Sequence, residues 1–295
     1  MRKTTFVVAA GAALALVLTG CGAKSDNGTA SPTGAKPELG LAAPFSNVIE
    51  LAAASKQGTQ KSKSSKMSME MTSAGKTVTA QGEAAYGAQG TTFHMTVNAD
   101  GEQTEMILVD NATYLKIPAD QATQLGTDKP WLKISPDGDD PISKALAGSM
   151  AQAGQQSDPT QLLDQLSEAG KIVSSDQTEV DGQKANHYKV DIDMVKALDK
   201  LLKAAPEATK AKLKEEAQGK NIRIPMEIWV DKNQLPLQIS MDESEMVKEM
   251  GGNAASAGTG KFVVKYSDWG TPVTIAAPPA DQVADMGELI KKMGG

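Results

Sequence analysis

Cysteine, histidine and aromatic residues are scarce in this chain. One cysteine, Cys21, occurs in 295 residues, together with two histidines and 4% aromatic residues. A single thiol excludes an internal disulfide, and a lone cysteine without a histidine cluster excludes the common zinc motifs. The formal net charge is −6 and no block of basic residues occurs. This charge argues against nucleic acid as a partner and against electrostatic docking on anionic lipid.

Catalytic motifs are missing as well. The sequence has no G-x-S-x-G and no H-E-x-x-H pattern, which mark serine hydrolases and zinc peptidases. His94 and His187 stand in segments that alternate like strands, and neither has a partner motif. We therefore predict surface strand positions for both histidines rather than a general base. No enzyme activity, no catalytic residue, no metal and no cofactor is expected.

The lone cysteine follows an export signal. Arg2 and Lys3 precede an apolar run from Phe6 to Val17. That run is shorter than the roughly 20 residues of a membrane-spanning helix and is followed at once by polar chain. The sequence Leu18-Thr19-Gly20-Cys21 resembles the lipobox of bacterial lipoproteins. It predicts a signal peptide over 1–20 and a lipid anchor on Cys21, which would attach the protein to the outer face of the cell membrane.

A change in composition separates a tether from the folded part. Residues 22–40 are rich in Gly, Ala, Ser, Thr and Pro and lack apolar periodicity, which is typical of a flexible linker. We assign 21–42 to this tether and 43–295 to one folded domain. No internal repeat and no second break in composition divides the domain.

Short alternating segments dominate the domain. In KMSMEMTS and TTFHMTVN every second residue is apolar, so the apolar side chains share one face of a strand. Similar segments recur up to KFVVKYSDW, separated by turn signals such as Asp181-Gly182. These patterns predict nine to eleven strands, mostly antiparallel, in one large sheet of an α+β protein.

Helical patterns flank and interrupt the strands. We predict an amphipathic helix from Pro44 to Gly58, because apolar residues recur at helical spacing between the two. Asp158-Pro159 is an N-cap followed by proline, as is Asp140-Pro141. Three further helices are predicted: one along Met194, Leu198 and Leu201, a charged one from Pro206, and a C-terminal one over 280–293.

Methionine is the most informative residue type on the predicted sheet. Fourteen methionines accompany the few aromatic residues, and methionine fills irregular space and adapts to variable partners. Two interpretations stay open: a packed interior, or an apolar cavity under thin helices. The residues that would line such a cavity are Met67, Met69, Met71, Phe93, Met95, Val97, Met226, Ile228, Leu237, Ile239 and Met241.

Several segments resemble one lipoprotein family in order and spacing. They are the lipobox, DGEQTEMILVDNATYLKI, VDGQKANHYKVDI, MEIWVDKNQLPLQISMD and KYSDWGTPVTIAAPP. From Cys21 to about Pro279 the chain is similar to the actinobacterial LppX/LprAFG lipoproteins. The resemblance implies a LolA/LolB-like half-barrel, a curved antiparallel sheet with helices on its concave face. It also implies an apolar cavity for lipid acyl chains, and beyond Cys21 it assigns no site residue.

Two functions follow from these observations. The first is a monomeric lipoprotein that carries or presents the acyl chains of a lipid or glycolipid in an apolar cavity. The alternative is an envelope sensor with a filled core that binds a membrane protein partner.

Overall fold

The computed structural model describes residues 40–73, 75–87, 90–136, 158–167, 169–201, 222–242 and 260–293, and a few single residues between them. The signal peptide, Cys21, almost all of the tether, Asp140-Pro141 and most of the helix predicted from Pro206 lie outside the described residues. Within the described ranges, every helix is too short or too polar to cross a lipid bilayer.

One curved sheet of twelve strands organises the domain. The strands are β1 (Ser64–Ser73), β2 (Lys76–Gly87), β3 (Gly90–Ala99), β4 (Glu102–Val109), β5 (Ala112–Lys116), β6 (Trp131–Ile134), β7 (Gly170–Val180), β8 (Gln183–Asp193), β9 (Arg223–Val230), β10 (Pro236–Asp242), β11 (Lys261–Ser267) and β12 (Val283–Asp285). Their order across the sheet is β12-β6-β5-β4-β3-β2-β1-β11-β10-β9-β8-β7. All neighbours are antiparallel except β12 and β6. The predicted fold class, an α+β half-barrel, is confirmed.

Tight hairpins set the register of the sheet. Asp181 and Gly182 both have positive φ, as a two-residue turn between twisted strands requires. The turn between β9 and β10 is held by Asp231, whose side chain accepts hydrogen bonds from the backbone N–H groups of Asn233 (2.7 Å) and Leu235 (2.8 Å). The resulting register places Ile239 opposite Ile228 and Met241 opposite Met226, as the alternation predicts.

Five α-helices lie within the continuous described ranges. They are α1 (Val48–Ser62), α2 (Ala119–Gln124), α3 (Pro159–Leu166), α4 (Met194–Leu201) and α5 (Met286–Met293). Helix α3 begins as predicted, because the Asp158 side chain accepts hydrogen bonds from the backbone N–H groups of Thr160 (2.9 Å) and Gln161 (3.4 Å). Pro159 occupies the first helical position. Proline has no backbone N–H, but an N–H at this position would have no partner within the helix.

The predicted bounds of α1 are wrong at both ends. The helix begins at Val48, because Asn47 is the N-cap and its side chain accepts a hydrogen bond from the backbone N–H of Glu50 (2.9 Å). It continues past Gly58 to Ser62. A Cβ at Gly58 would lie 2.9 Å from the backbone oxygen of Asn233. This glycine therefore does not end the helix; it lets the β9–β10 turn approach α1 closely.

The C-terminal helix is shorter than predicted. Residues 280–282 form a 3₁₀ turn, Val283–Asp285 pair with β6 as the parallel strand β12, and only then does α5 begin. The extra strand also raises the count above the nine to eleven that the alternation predicts. Three residues are too few to show strand periodicity, and pairing with β6 fixes their conformation instead.

The main core lies between one face of the sheet and the helices. It contains Val48, Leu51 and Ala52 of α1, Leu163 of α3 and Ala197 of α4, together with inward residues of β1–β3 and β8–β11. The opposite face carries charged pairs such as Lys66 with Asp268 (2.7 Å) and Lys265 with Asp181 (2.8 Å). The sheet is therefore apolar on its concave face and polar on much of the convex one.

Candidate functional site

Helix α1 closes one end of the concave face. Leu51 is fully buried and shares its cluster with Phe93, Ile228 and Tyr266 of the sheet. We call the part of the concave face formed by Met67, Phe93, Met95, Ile228 and Tyr266 the closed end. All five side chains are nearly inaccessible to solvent. The chain's own atoms fill this region, and a ligand would have to displace them.

A glycine, Gly82, lets the strands approach at the closed end. Gly82 pairs with Met67 on one side and Met95 on the other. A Cβ at this position would lie 2.1 Å from the backbone oxygen of His94 and 2.8 Å from Cγ of Met95. The sheet therefore needs glycine here, because any larger residue would meet backbone atoms that cannot move aside alone.

Two tyrosine hydroxyl groups at the main core, those of Tyr86 and Tyr188, find partners. Tyr188 accepts a hydrogen bond from the backbone N–H of Phe45 (3.1 Å), and burial raises the pKa of Tyr188 to about 12. The hydroxyl of Tyr86 lies 2.8 Å from that of Ser65, and burial raises the pKa of Tyr86 well above its ordinary value. Both hydroxyl groups therefore stay neutral at physiological pH.

The concave face becomes accessible toward the far end of β1. Along this strand the exposed fraction rises from 4% at Met67 through the half-buried Met69 to 45% at Met71. We call the part formed by Met69, Met71, Val97, Met241 and Phe262 the open end. Apart from Met71, its members are half-buried and pack against the main core. The region thus presents a strip of apolar surface that continues into the core.

One cross-strand row shows the gradient directly. Met226 pairs with Met241, Met241 with Phe262, and Phe262 with Met71, across β9, β10, β11 and β1. Residues directly opposite in neighbouring strands share a face. Met226 is 1% exposed, the middle two are half-buried, and Met71 is exposed. The row therefore runs from a buried to an exposed position through four uncharged, apolar side chains.

The predicted lining residues differ in how deeply they are buried. Six of them are members of the buried core: Met67, Phe93, Met95, Met226, Ile228 and Ile239. Leu237 is also buried, at the bulge of β10. Met69, Val97 and Met241 are half-buried, and Met71 is exposed. Apart from Leu237, where the bulge shifts the register, the alternation therefore places these residues on a shared face, while their role as a cavity lining stays a prediction.

The sequence interpretation missed Phe262. This residue stands at the centre of the open end, between Met71 and Met241. The alternation of Phe262, Val264 and Tyr266 in KFVVKYS carried the signal, since the last two are buried on the same face. Met106 and Met194 are likewise half-buried against the core and were not predicted.

The two histidines lie on the convex face, opposite the site. His94 is partly exposed and its Nε2 lies 3.4 Å from Glu105, which confirms its predicted surface position. The predicted surface exposure of His187 is wrong, because the residue is buried. Its ring stacks on that of Trp229, with the ring centroids 4.4 Å apart. Its nitrogens lie 2.8 Å from Asp176 and 3.2 Å from Glu227. The alternation within β8 could not predict this stacking, because Trp229 lies on the neighbouring strand β9.

Comparisons with known proteins give distant similarities. No family model matches the chain. It is 26% identical over 166 residues to an uncharacterized 31.2 kDa protein in the rplA-rplJ intergenic region of Streptomyces griseus, covering 56% of this chain and about half, 51%, of that protein. Membership in the LppX/LprAFG family therefore stays a prediction.

Two solved structures share elements of the fold. MucB in complex with MucA(peri) is 14% identical with a TM-score of 0.34, over 80% of this chain and 58% of that one. An uncharacterized conserved protein from Thermus thermophilus is 11% identical with a TM-score of 0.37, over 80% of this chain and 98% of that one. Similarity at this level says nothing about what this chain binds.

Proposed function

We propose that this protein is a lipid-anchored envelope protein that binds the acyl chain of a lipid or glycolipid at the open end of its concave face. The observation that supports the proposal is the row from Met226 to Met71, where apolar side chains on the inner face of the sheet pass from full burial to exposure. Soluble proteins bury such continuous apolar strips or use them for binding.

The chemistry of the open end suits a hydrocarbon chain. Three of its five members are methionines, and the flexible thioether side chain can repack around ligands of different shape. Burial of apolar surface contributes about 25 cal/mol per Å². Since an acyl chain leaves a bilayer that is equally apolar, exchange between membrane and protein is expected to be close to balanced in free energy.

The proposed anchor at Cys21 would keep the domain beside its source of lipid. A single acyl chain holds a protein to a bilayer only marginally, whereas two chains hold it stably. A diacylated Cys21 followed by about 20 linker residues would confine the domain to within a few nanometres of the membrane. No separate energy source is needed for the exchange we propose.

Native purification followed by lipid mass spectrometry tests the proposal. We expect near-stoichiometric bound lipid and displacement of a fluorescent fatty acid by unlabelled palmitate. Met71→Lys should weaken binding of the fluorescent fatty acid about tenfold, because an ammonium group would enter the apolar strip. Thr79→Lys is the matched control, since Thr79 is an exposed residue opposite Glu70 on the other face of the same sheet.

A lipid-free protein would contradict the proposal. If the purified protein carries no lipid, and its Met71→Lys and Thr79→Lys variants bind the fluorescent fatty acid as the unchanged protein does, an acyl site at the open end is refuted. If that lipid-free protein captured a membrane protein partner, the sensor function would replace the carrier function.

A further inference from the structure

A polar cleft lies between α1, α3 and the end of β2. Its volume is about 760 Å³, within the range of small-molecule sites. The C-terminal half of α1 forms one wall and the first turns of α3 the other, with Tyr86 between them. The cleft shares no residue with the open end.

A buried hydroxyl group in this cleft has no partner. Thr59 lines the cleft and is only 2% exposed, and its Oγ1 makes no hydrogen bond. Leaving a buried hydroxyl unsatisfied costs about 1–3 kcal/mol. Because Oγ1 itself has almost no accessible surface, a ligand would reach it only after the Thr59 side chain turned toward the cleft, and that contact would remove the penalty.

The charges that line the cleft are balanced. Two lysines, Lys56 and Lys63, face two aspartates, Asp158 and Asp164. Lys56 pairs with Asp164 at 2.9 Å across the cleft. The Asp158 carboxylate already accepts hydrogen bonds from the N-terminus of α3 and, at 3.0 Å, from the hydroxyl of Thr91. Neither an anion nor a cation would therefore gain from the net charge, which favours an uncharged ligand.

Amide side chains supply both donors and acceptors. Gln60 and Gln161 line opposite walls of the cleft, and a primary amide can donate two hydrogen bonds and accept two. Between them, the Tyr86 ring stacks on Trp269 with centroids 5.8 Å apart. Amides, one free hydroxyl and an aromatic side chain match the alternating hydroxyl and C–H surfaces of a sugar.

We propose that this cleft binds an uncharged polyhydroxylated group, a saccharide or polyol. The group can belong to a free sugar or to the headgroup of a lipid. The amides of Gln60 and Gln161 would hydrogen-bond its hydroxyl groups, and Tyr86 would contact its apolar face. The Thr59 hydroxyl would add a hydrogen bond once its side chain turned toward the cleft. This site is independent of acyl binding at the open end.

Calorimetric titration of the full-length protein with glucose, maltose, myo-inositol and octyl glucoside tests this proposal. Binding of at least one probe is expected. Gln60→Ala and Gln161→Ala should each weaken it about tenfold, whereas Gln124→Ala, an exposed glutamine on α2, should not. Binding of a free sugar indicates a soluble ligand as the source, and binding of octyl glucoside alone indicates a lipid headgroup.

Thr59→Val separates a binding role from a structural one. Valine keeps the volume and removes the unpartnered hydroxyl, so we expect about tenfold weaker binding with an unchanged or higher unfolding midpoint. No binding of any of the four probes, or equal binding by the Gln60 and Gln161 variants, would overturn the proposal. Fluorescent fatty acid binding, measured in the same variants, should stay unchanged, so failure of either site is recognised separately.

Discussion

The closed and open ends of the concave face have the same kind of residues and different accessibility. Met67 and Met71 stand on one face of one strand, yet the first is 4% exposed and the second 45%. Helix α1 contributes buried residues to the cluster around Met67. Composition alone therefore does not make a binding surface; the extent of the helical cover decides which part of an apolar sheet is available.

Truncation of the methionine at each end of the cross-strand row from Met226 to Met71 should show the largest contrast. Met226→Ala removes a side chain that is 1% exposed and should destabilise the protein by about 2–5 kcal/mol. Met71→Ala, in the same cross-strand row, should change stability by less than about 0.5 kcal/mol. Urea unfolding of both variants measures the difference. Similar losses for the two would show that the open end is packed like a core.

Adding a Cβ at Gly82 should destabilise the closed end, whereas adding one at Gly87 should not. Gly82→Ala would place a Cβ 2.1 Å from the backbone oxygen of His94, and we expect a loss of about 1–3 kcal/mol. Gly87→Ala on the same strand is the control, because its Cβ would have no neighbour nearer than 3.7 Å. If both variants unfolded at the urea concentration of the unchanged protein, the proposed close approach at Gly82 would be wrong.

Two buried serines differ in whether their hydroxyl groups have a hydrogen-bond partner. Ser55 has an unpartnered hydroxyl, whereas the Ser65 hydroxyl lies 2.8 Å from that of Tyr86. Ser55→Ala should therefore be neutral or stabilising by up to about 1 kcal/mol. Ser65→Ala should be destabilising by about 1 kcal/mol, because it leaves the Tyr86 hydroxyl buried without a partner. Thermal unfolding midpoints that shift in the reverse order would contradict this assignment.

The smallest effect concerns the ion pair between α1 and α3. The hydrogen bond and charge of Asp164 raise the pKa of Lys56 above its ordinary 10.5. A raised lysine pKa means that the pair contributes below pH 10.5 and is lost as pH rises further. Lys56→Met should speed amide hydrogen exchange in α3 at about pH 8, with a stability loss of a few tenths of a kcal/mol.

The matched control is an ion pair that does not involve α1 or α3. Lys76→Met removes an exposed pair with Asp100 in neighbouring hairpins and should leave exchange in α3 unchanged. Equal exchange in α3 for Lys56→Met and the unchanged protein would mean that the pair does not hold α3.

Local sequence signals predicted which alternating residues of a strand share a face. The alternation of Met67, Met69 and Met71 and the Asp181-Gly182 turn indicated the sheet and its register, because both depend on neighbours in the chain. The exposed fraction of each side chain could not be predicted in this way. Whether a concave residue is covered depends on where the helices lie, and α1 continues one turn past Gly58, where its sequence suggested an end. The strand β12 likewise depends on pairing with β6, which is distant in the chain.

Photocrosslinking with a diazirine-labelled palmitate, followed by mass spectrometric mapping of the labelled residues, tests the central claim most directly. We expect the label on Met69, Met71, Met241 and Phe262, in amounts that fall when unlabelled palmitate competes. Labelling confined to the convex face around His94, or no competed labelling at these four residues, would contradict an acyl site at the open end.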